Sequence, residues 1–326
     1  MKIAYLFPGQ GSQTIGMGKD LYEKYEEVKE IYNKVKEITG IDIAKISFEG
    51  PEEELNKTQN TQLAVLTESL AIVELLKKKN IKAEMSAGLS LGEYTALIED
   101  GVFCLEDGVK LVQKRGEIMQ NYTPNGNWKM AAILGLDEQT VENVCKKVDG
   151  FVVPANYNTI GQIVISGEEK AVIEAGDFAK QAGAKKIAIL NTAGPFHTSK
   201  LIECSTKLKE ELDKTTINSK DSKVVKNIDG KQYVKNDDVA EILAKHIMNS
   251  VRFTACIQTM YDNGIDTFVE VGPGKTLSTF VKRMKFVGEI NIININSCET
   301  LEEFLRDWYW YTKRKVIRCS GAQRAP

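Results

Sequence analysis

The order of predicted elements in residues 129–190 constrains the fold more than any other feature of the sequence. Apolar segments of strand length and amphipathic segments of helix length follow one another there as strand, helix, strand, strand, helix and strand. In that order the segments read KMAAILGL, DEQTVENVCKKV, FVVPANYN, GQIVISG, EEKAVIEAGDFAKQAG and AKKIAILN. This β-α-β-β-α-β order is the split βαβ, or ferredoxin-like, pattern. It predicts a small ferredoxin-like subdomain at residues 126–192.

The remaining chain predicts a larger α/β subdomain into which the small one is inserted. Loop-like residues flank the insert on both sides, and 326 residues suggest about two domains. The large subdomain then consists of residues 1–125 and 193–305. Its predicted strands are residues 2–7, 81–87, 266–271 and 289–296. Its predicted helices are residues 18–38, 61–79, 91–99, 105–122, 198–213, 237–248, 253–263, 272–284 and 299–305.

Charge, hydropathy and cysteine spacing exclude several classes of protein. Lys and Arg number 43 against 45 Asp and Glu, so no basic excess predicts nucleic acid or an anionic membrane as a partner. Mean hydropathy is −0.26, and no apolar run approaches the ~18 residues of a spanning helix. The N-terminus MKIAYLFPG is too short for a signal peptide, which favours a cytoplasmic location. The six cysteines form no Cys-x-x-Cys pair, so neither a zinc site nor a disulfide framework is predicted.

A candidate nucleophile lies in the sequence Gly88-Leu89-Ser90-Leu91-Gly92. This G-x-S-x-G segment lies between a predicted strand and a predicted helix, which is the setting of a nucleophile elbow. Glycines permit a tight strand-to-helix turn that exposes the serine hydroxyl, and the amides at the helix N-terminus favour an oxyanion. An ordinary glycine-rich turn is the alternative interpretation.

A serine nucleophile needs a base, and the chain has only two histidines. His246 lies inside a predicted helix, where a lone histidine is more often structural. His197 lies in a loop that follows the inserted subdomain, a position that suits a catalytic residue. His197 is therefore the predicted base.

Arginine is rare in the body of the chain, where Arg115, Arg252 and Arg283 are the only ones before residue 306. Arg115 lies at the edge of the apolar stripe of its predicted helix, so its charge turns toward the interior and needs an anionic partner. The guanidinium fork suits a bidentate carboxylate. A structural ion pair with an internal Asp or Glu is the alternative, and the sequence weighs the two equally.

The final segment, residues 306–326, differs from the rest of the chain. It contains four of the seven arginines and two of the three tryptophans, and no acid follows Asp307. It has no clear periodicity. Composition favours a disordered or non-native extension over a basic interaction arm.

Several motifs, taken together, resemble the malonyl-CoA:acyl carrier protein transacylases, the acyltransferase family of fatty acid and polyketide synthesis. The resemblance covers residues 2–305, and its motifs are, in order, FPGQGSQ, GLSLGEY, QKRG, MAA, NYN, GQIVISG, FH and VGPGK. It implies a hydrolase-like α/β core, built on a parallel sheet, with a ferredoxin-like insert. That agrees with the pattern in residues 129–190.

The resemblance also implies roles for individual residues. Ser90 is the nucleophile and His197 its base, and Arg115 holds the malonyl carboxylate. It further implies that the backbone amides of Gln10 and Leu91 form the oxyanion hole. The side chains of Asn158 and Phe196 are implied to bind the substrate, and the backbone carbonyl of Arg252 to orient the histidine. Phe196 resembles the bulky residue that disfavours an α-branched acyl group. Arg252 stands where the family often has Gln, but a backbone role survives that change.

The predicted reaction is a ping-pong acyl transfer from malonyl-CoA to the phosphopantetheine thiol of acyl carrier protein, through a malonyl-Ser90 ester. It needs no metal and no bound cofactor, and we expect a monomer. Two alternatives stay open at this point. A serine hydrolase or thioesterase would share Ser90 and His197 but release the acyl group to water. A structural or carrier-binding protein would have kept the fold without the chemistry.

Overall fold

The structure, a computed structural model, describes residues 1–190 and 194–321. Its strands are β1 (Ile3–Phe7), β2 (Met85–Gly88), β3 (Trp128–Leu134), β4 (Val152–Thr159), β5 (Gln162–Glu168), β6 (Lys186–Leu190), β7 (Thr267–Val271) and β8 (Asn291–Ile295). Helices of the first half are α1 (Lys19–Lys24), α2 (Glu26–Thr39), α3 (Ile43–Glu49), α4 (Glu52–Asn56), α5 (Thr58–Lys78), α6 (Leu91–Glu99), α7 (Leu105–Asn121) and α8 (Glu138–Lys147). Those of the second half are α9 (Glu169–Gln181), α10 (Ile202–Leu212), α11 (Val239–His246), α12 (Phe253–Asp262), α13 (Thr276–Arg283) and α14 (Cys298–Gly321), with a 3₁₀ turn at Ser199–Leu201.

A four-stranded parallel sheet forms the centre of the larger subdomain, in the order β2-β1-β7-β8. Every residue of β1, β2 and β7 is buried. Successive side chains of a strand point to opposite faces. On β1, Ile3, Tyr5 and Phe7 accordingly join one apolar cluster while Ala4 and Leu6 join another. Helices cover both faces, as is usual for a parallel sheet.

The inserted segment forms a separate antiparallel sheet in the order β4-β5-β3-β6. Helices α8 and α9 pack against it, and its chain order is β3-α8-β4-β5-α9-β6. The predicted order of elements in residues 129–190 is therefore confirmed. The predicted boundary where the chain returns to the large subdomain, at residues 192 and 193, lies outside the described residues.

Helix α5 is buried along almost its whole length and packs against α2, α6 and α7. A helix surrounded in this way needs apolar residues on all sides rather than one stripe. The packing of α5 on α7 places polar side chains of both helices next to the end of β2.

Hydrogen bonds join the small sheet to the large subdomain at residue 251. Val251 forms a parallel bridge with Asn156 of β4. The amide of Tyr157 donates to the carbonyl of Val251 at 2.8 Å, and the amide of Val251 donates to the carbonyl of Ala155 at 2.9 Å. The start of α12 is thereby fixed to the insert.

Three parts of the chain differ from the predicted elements. The predicted helix 18–38 is split into α1 and α2, because Tyr25 has an extended backbone with φ −115° and ψ 123°. Helices α3 and α4 are 7 and 5 residues long, too short for a periodic signal, and were not predicted. The prediction of disorder from residue 306 is wrong as far as Gly321, since α14 continues through it without an internal proline or glycine. Residues 322–326 lie outside the described part.

Within residues 1–190 and 194–321, no helix is both long and apolar enough to cross a membrane. The same residues contain no group of three His, Cys, Asp or Glu side chains that could hold a metal ion.

Candidate active site

A sharp turn between β2 and α6 presents Ser90. Its backbone adopts φ 53° and ψ −99°, a strained conformation for a residue with a side chain. The turn requires glycine on both sides. A Cβ on Gly88 would lie 1.9 Å from the carbonyl carbon of Gly92, and one on Gly92 would lie 2.1 Å from the carbonyl oxygen of Phe7. The G-x-S-x-G segment therefore has the geometry of an elbow rather than of an ordinary glycine-rich turn.

His197 lies against the Ser90 hydroxyl. Its Nε2 is 2.8 Å from Ser90 Oγ, and its imidazole is buried. Its Nδ1 lies 3.2 Å from each of the carbonyl oxygens of His246 and Asn249. Because carbonyls only accept hydrogen bonds, Nδ1 carries the proton and Nε2 is free to accept the proton of Ser90.

The two carbonyls next to His197 Nδ1 belong to His246 and Asn249 and not to Arg252, which the sequence predicted as the orienting residue. Helix α11 ends at His246, whose carbonyl also accepts the amide of Asn249 at 3.2 Å, and Asn249 lies in the turn that follows. The end of the helix and this turn therefore present the two carbonyls to His197. Arg252 lies farther along, where its amide donates to the carbonyl of Asn227 at 2.7 Å. Its guanidinium stacks 3.9 Å from the ring centroid of Tyr157. The prediction that the Arg252 backbone orients the histidine is wrong.

Arg115 of α7 is 2% exposed and lies beside the nucleophile. Its Nη2 donates to Ser90 Oγ at 3.0 Å and its Nη1 to Gln62 Oε1 at 2.6 Å, while the guanidinium lies 5.1 Å from the ring centroid of Tyr94. Within residues 1–190 and 194–321, its Nε has no hydrogen-bond partner. Among the described residues no carboxylate pairs with Arg115, so the structural ion pair weighed against a ligand-binding role is not present.

Gln62 is a site residue that the sequence interpretation missed. It lies on α5, is fully buried, and binds both Arg115 through Oε1 and the sulfur of Met119 through Nε2, at 3.3 Å. Its signal was weak, because α5 contains several polar residues and Gln62 belongs to no motif that separates it from the others. A polar side chain on a helix that is buried all round was the one available indication.

Burial and the neighbouring cation set the charge of the base. Burial and, second, the positive charge of Arg115 together lower the pKa of His197 to about 4. Burial also lowers the pKa of Arg115, but a guanidinium remains charged in proteins. At neutral pH the site thus combines an uncharged imidazole with an unpaired buried cation.

This pKa predicts the acid side of the pH profile. With neutral His197 as the predicted base and a pKa of about 4, we expect kcat/KM for malonyl-CoA to stay constant from pH 8 down to about 5.5 and to fall only below that. Replacing Arg115 with Met removes the cation, raises the pKa of His197 and moves the fall to higher pH. Stopped-flow acylation between pH 4.5 and 8 measures both profiles.

Glu93 is buried close to His197 and His246, and burial raises its pKa to about 7, so it is a second group near the site that titrates in this range. The control is therefore Glu93→Gln, which cannot ionise and should leave the acid limb unchanged. A wild-type inflection near pH 6.5 that persists in Glu93→Gln would contradict the assignment to His197.

Gln10 and Leu91 lie where the loop after β1 meets the elbow. A Cβ on Gly9 would lie 2.4 Å from the carbonyl oxygen of Leu89, so the missing side chain allows the two segments to touch. Leu91 is the first residue of α6, and its amide has no intrahelical acceptor. Within the described part of the chain neither the Gln10 nor the Leu91 amide has a hydrogen-bond partner.

Asn158 and Phe196 are both buried, at 5% and 7% exposed. In the described part of the chain, the Oδ1 atom of Asn158, near the end of β4, has no hydrogen-bond partner. Phe196 directly precedes His197 and joins the main apolar cluster. Both residues are therefore interior: Asn158 offers an acceptor oxygen that is not used, and Phe196 offers an apolar ring.

Comparison with known proteins identifies the family. Residues 4–307 match the acyl transferase domain model. The chain is 41% identical over 304 residues to the malonyl CoA-acyl carrier protein transacylase of Bacillus subtilis, covering 92% of this chain and 95% of the relative. A crystal structure of that enzyme from Clostridium perfringens superposes with TM-score 0.90 at 39% identity, covering 98% and 99% of the two chains.

A second solved structure shows a type II polyketide synthase acyl-carrier protein in complex with its malonyl-transacylase. It matches with TM-score 0.89 at 34% identity, over 94% of this chain and all of that one. The elbow, the buried dyad and these similarities lead to one assignment. The chain belongs to the acyl transferase family, among the malonyl CoA-acyl carrier protein transacylases.

Proposed function

We propose that this protein transfers the malonyl group of malonyl-CoA to the phosphopantetheine thiol of an acyl carrier protein in fatty acid synthesis, through a malonyl ester on Ser90. The observation that carries the proposal is the buried guanidinium of Arg115, 3.0 Å from the nucleophilic oxygen and without an acid partner among the described residues. A buried, unpaired cation favours an acyl group that brings its own negative charge. The names of the relatives agree with this substrate.

In the first half-reaction, Ser90 Oγ attacks the thioester carbonyl of malonyl-CoA while His197 Nε2 takes the hydroxyl proton. The C–S bond of the tetrahedral intermediate then breaks, and His197 returns the proton to the leaving thiolate. In the second half-reaction the phosphopantetheine thiol gives its proton to His197 and attacks the ester. Ser90 leaves with that proton, so the enzyme is regenerated without a metal or a bound cofactor.

We assign the oxyanion hole to the backbone amides of Gln10 and Leu91. Both amides lack an acceptor among the described residues, and Leu91 opens α6, whose N-terminal dipole favours negative charge. Two preorganised donors at the carbonyl oxygen would stabilise each tetrahedral intermediate.

We assign acyl selection to Arg115, with Gln62 as the residue that holds it. The carboxylate of a malonyl ester lies roughly 4 Å from the ester oxygen by standard bond lengths, which suits a guanidinium in contact with Ser90 Oγ. Asn158, with its unused Oδ1, is assigned to the substrate site. The Phe196 ring is assigned to the exclusion of α-branched acyl groups such as methylmalonyl.

We also infer the finer fold description and the setting in which the protein works. The strand order β4-β5-β3-β6 with two helices supports a ferredoxin-like insert. The strand-elbow-helix unit on a parallel sheet supports a hydrolase-like core. We expect the protein to act as a cytoplasmic monomer that receives its carrier protein transiently, as the complex of the related malonyl-transacylase suggests.

Transfer is tested with purified carrier protein and malonyl-CoA. We expect a malonyl adduct on the Ser90 peptide by mass spectrometry, and malonyl-carrier protein as the product, with methylmalonyl-CoA a much poorer donor. The Phe196→Ala variant should narrow the difference between the two donors. Rapid release of free malonate without an adduct would instead identify a hydrolase. Absence of any reaction would favour a carrier-binding protein without chemistry.

A further inference from the structure

We infer that Glu93 is a positioning residue that holds both partners of the Ser90–His197 dyad in place through one buried carboxylate. The inference rests on the proposed function only in so far as Ser90 is the nucleophile and His197 its base. Glu93 lies in the first turn of α6 and is fully buried. Neither the elbow motif nor the predicted oxyanion hole gives its carboxylate a role.

One arm of the arrangement reaches the serine through Asn227. Glu93 Oε2 accepts the backbone amide of Asn227 at 3.3 Å. The Asn227 side chain in turn spans the elbow, because its Oδ1 accepts the amide of Ser90 at 2.8 Å and its Nδ2 donates to the carbonyl of Gly88 at 2.7 Å. The amide group of one buried asparagine thus fastens the backbone on both sides of Leu89.

The other arm reaches the base through His246. The same Oε2 atom lies 3.2 Å from Nδ1 of His246. A single proton, bound either to the carboxyl group or to the imidazole, is enough to form a hydrogen bond between these two atoms. The carbonyl of His246 is one of the two that hold Nδ1 of His197. The two imidazole rings lie 5.1 Å apart at an angle of 32°. Fixing the His246 ring therefore fixes the end of α11 against the base.

The remaining oxygen is held from a third direction. Glu93 Oε1 accepts a hydrogen bond from the hydroxyl of Tyr233 at 2.7 Å. Contacts on both of its oxygens therefore prevent the carboxylate from rotating freely. This matters because Ser90 and His197 both have positive φ, 53° and 58°. Residues with side chains keep such conformations only where surrounding contacts impose them. Hydrogen bonds that begin at Glu93 reach the Ser90 amide through Asn227 and the His197 imidazole through His246, and so supply contacts to both residues.

Glu68 provides a matched control. It is also a buried glutamate on a helix, and burial likewise raises its pKa, to about 8. Among the described residues, neither of its carboxylate oxygens has a hydrogen-bond partner. The charged group that raises its pKa besides burial is Asp20, which is not a residue of the site described above. If the removal of any buried carboxylate lowered activity, replacing Glu68 would lower it as much as replacing Glu93.

The test compares Glu93→Gln, Glu93→Leu and Glu68→Leu. Glutamine can keep all three contacts, since its amide oxygen accepts from Asn227 and His246 and its NH₂ donates to Tyr233. We expect near wild-type acylation for it. For Glu93→Leu we expect the Ser90 acylation rate to fall about 10²-fold, the size of a small misplacement of reacting groups, with the KM for malonyl-CoA little changed. Glu68→Leu removes a buried carboxylate without hydrogen-bond partners, so it should leave the thermal midpoint unchanged or higher and leave acylation intact.

A second readout separates this inference from the proposed function. A fluorophosphonate reacts with an activated serine by forming the Ser90 O–P bond and expelling fluoride, while His197 takes the proton, and it needs no malonyl recognition. We expect its rate to fall in Glu93→Leu as the acylation rate does, whatever acyl donor the protein uses. Failure of malonyl transfer in the wild type, with this fall intact, would reject only the substrate.

If Glu93→Leu does not fold, Tyr233→Phe removes one contact with little change in volume and should slow the fluorophosphonate reaction several-fold. The inference is overturned by either of two results. One is a folded Glu93→Leu, or a Tyr233→Phe, that reacts at the wild-type rate. The other is an equal loss in Glu68→Leu.

Discussion

Replacing His197 with alanine is expected to slow acylation of Ser90 about 10⁴-fold or more, because the hydroxyl then has no group to take its proton. Replacing Ser90 with alanine should abolish the malonyl adduct altogether. The 2.8 Å contact between His197 Nε2 and Ser90 Oγ makes the two residues one functional unit. The double variant should therefore be no slower than the worse single variant, as residues that act together are not additive.

Single-turnover mass spectrometry with malonyl-CoA measures these rates. The matched control is Ser278→Ala on α13, another buried serine. It should acylate at the wild-type rate. An adduct on a residue other than Ser90 in the wild type, or full activity in His197→Ala, would refute the dyad.

Replacing Arg115 with alanine is expected to change which acyl group is transferred rather than to stop transfer. Loss of a buried charge pair with the malonyl carboxylate costs about 3–4 kcal/mol, which corresponds to roughly 10²–10³-fold in kcat/KM. Acetyl transfer, which makes no such pair, should fall little, and the ratio of malonyl to acetyl transfer should collapse. Arg115→Lys keeps the charge but not the fork and should be intermediate.

Parallel assays with malonyl-CoA and acetyl-CoA measure this ratio. Arg283→Ala is the control, since Arg283 is another of the rare arginines but bonds Gln162 at the surface. It should leave the ratio unchanged. Equal loss of both acyl groups in Arg115→Ala would make the guanidinium a structural group instead.

The sequence was most informative where chemistry needs a particular side chain or a particular spacing. The glycines around Ser90 were recognisable because no Cβ fits at the turn. The scarcity of histidine isolated His197, and the scarcity of arginine, with its place on a helix stripe, isolated Arg115. The six elements of the insert followed from their alternating periods.

Backbone roles and isolated polar contacts left no comparable signal. The carbonyls of His246 and Asn249 lie at the end of α11 and in the turn after it. Any residue type can present a carbonyl, so only the resemblance was available to assign this role, and it implied Arg252. Gln62, Asn227 and Glu93 are single polar residues whose partners are 25 or more positions away, and only tertiary packing reveals the pairs. Composition alone could not show that α14 continues past residue 306.

The site is assembled from segments that are far apart along the chain, and this has a consequence for biosynthesis. Ser90 and His197 are separated by 107 positions, and His197 is separated from the carbonyl of Asn249 by a further 52. Closing such loops costs entropy that only the finished tertiary contacts repay. A growing chain cannot orient its base until residue 249 has been synthesised and α11 has docked. We expect forms that end before residue 249 to contain the serine without an oriented base, so acyl transfer should begin only after that segment has been synthesised.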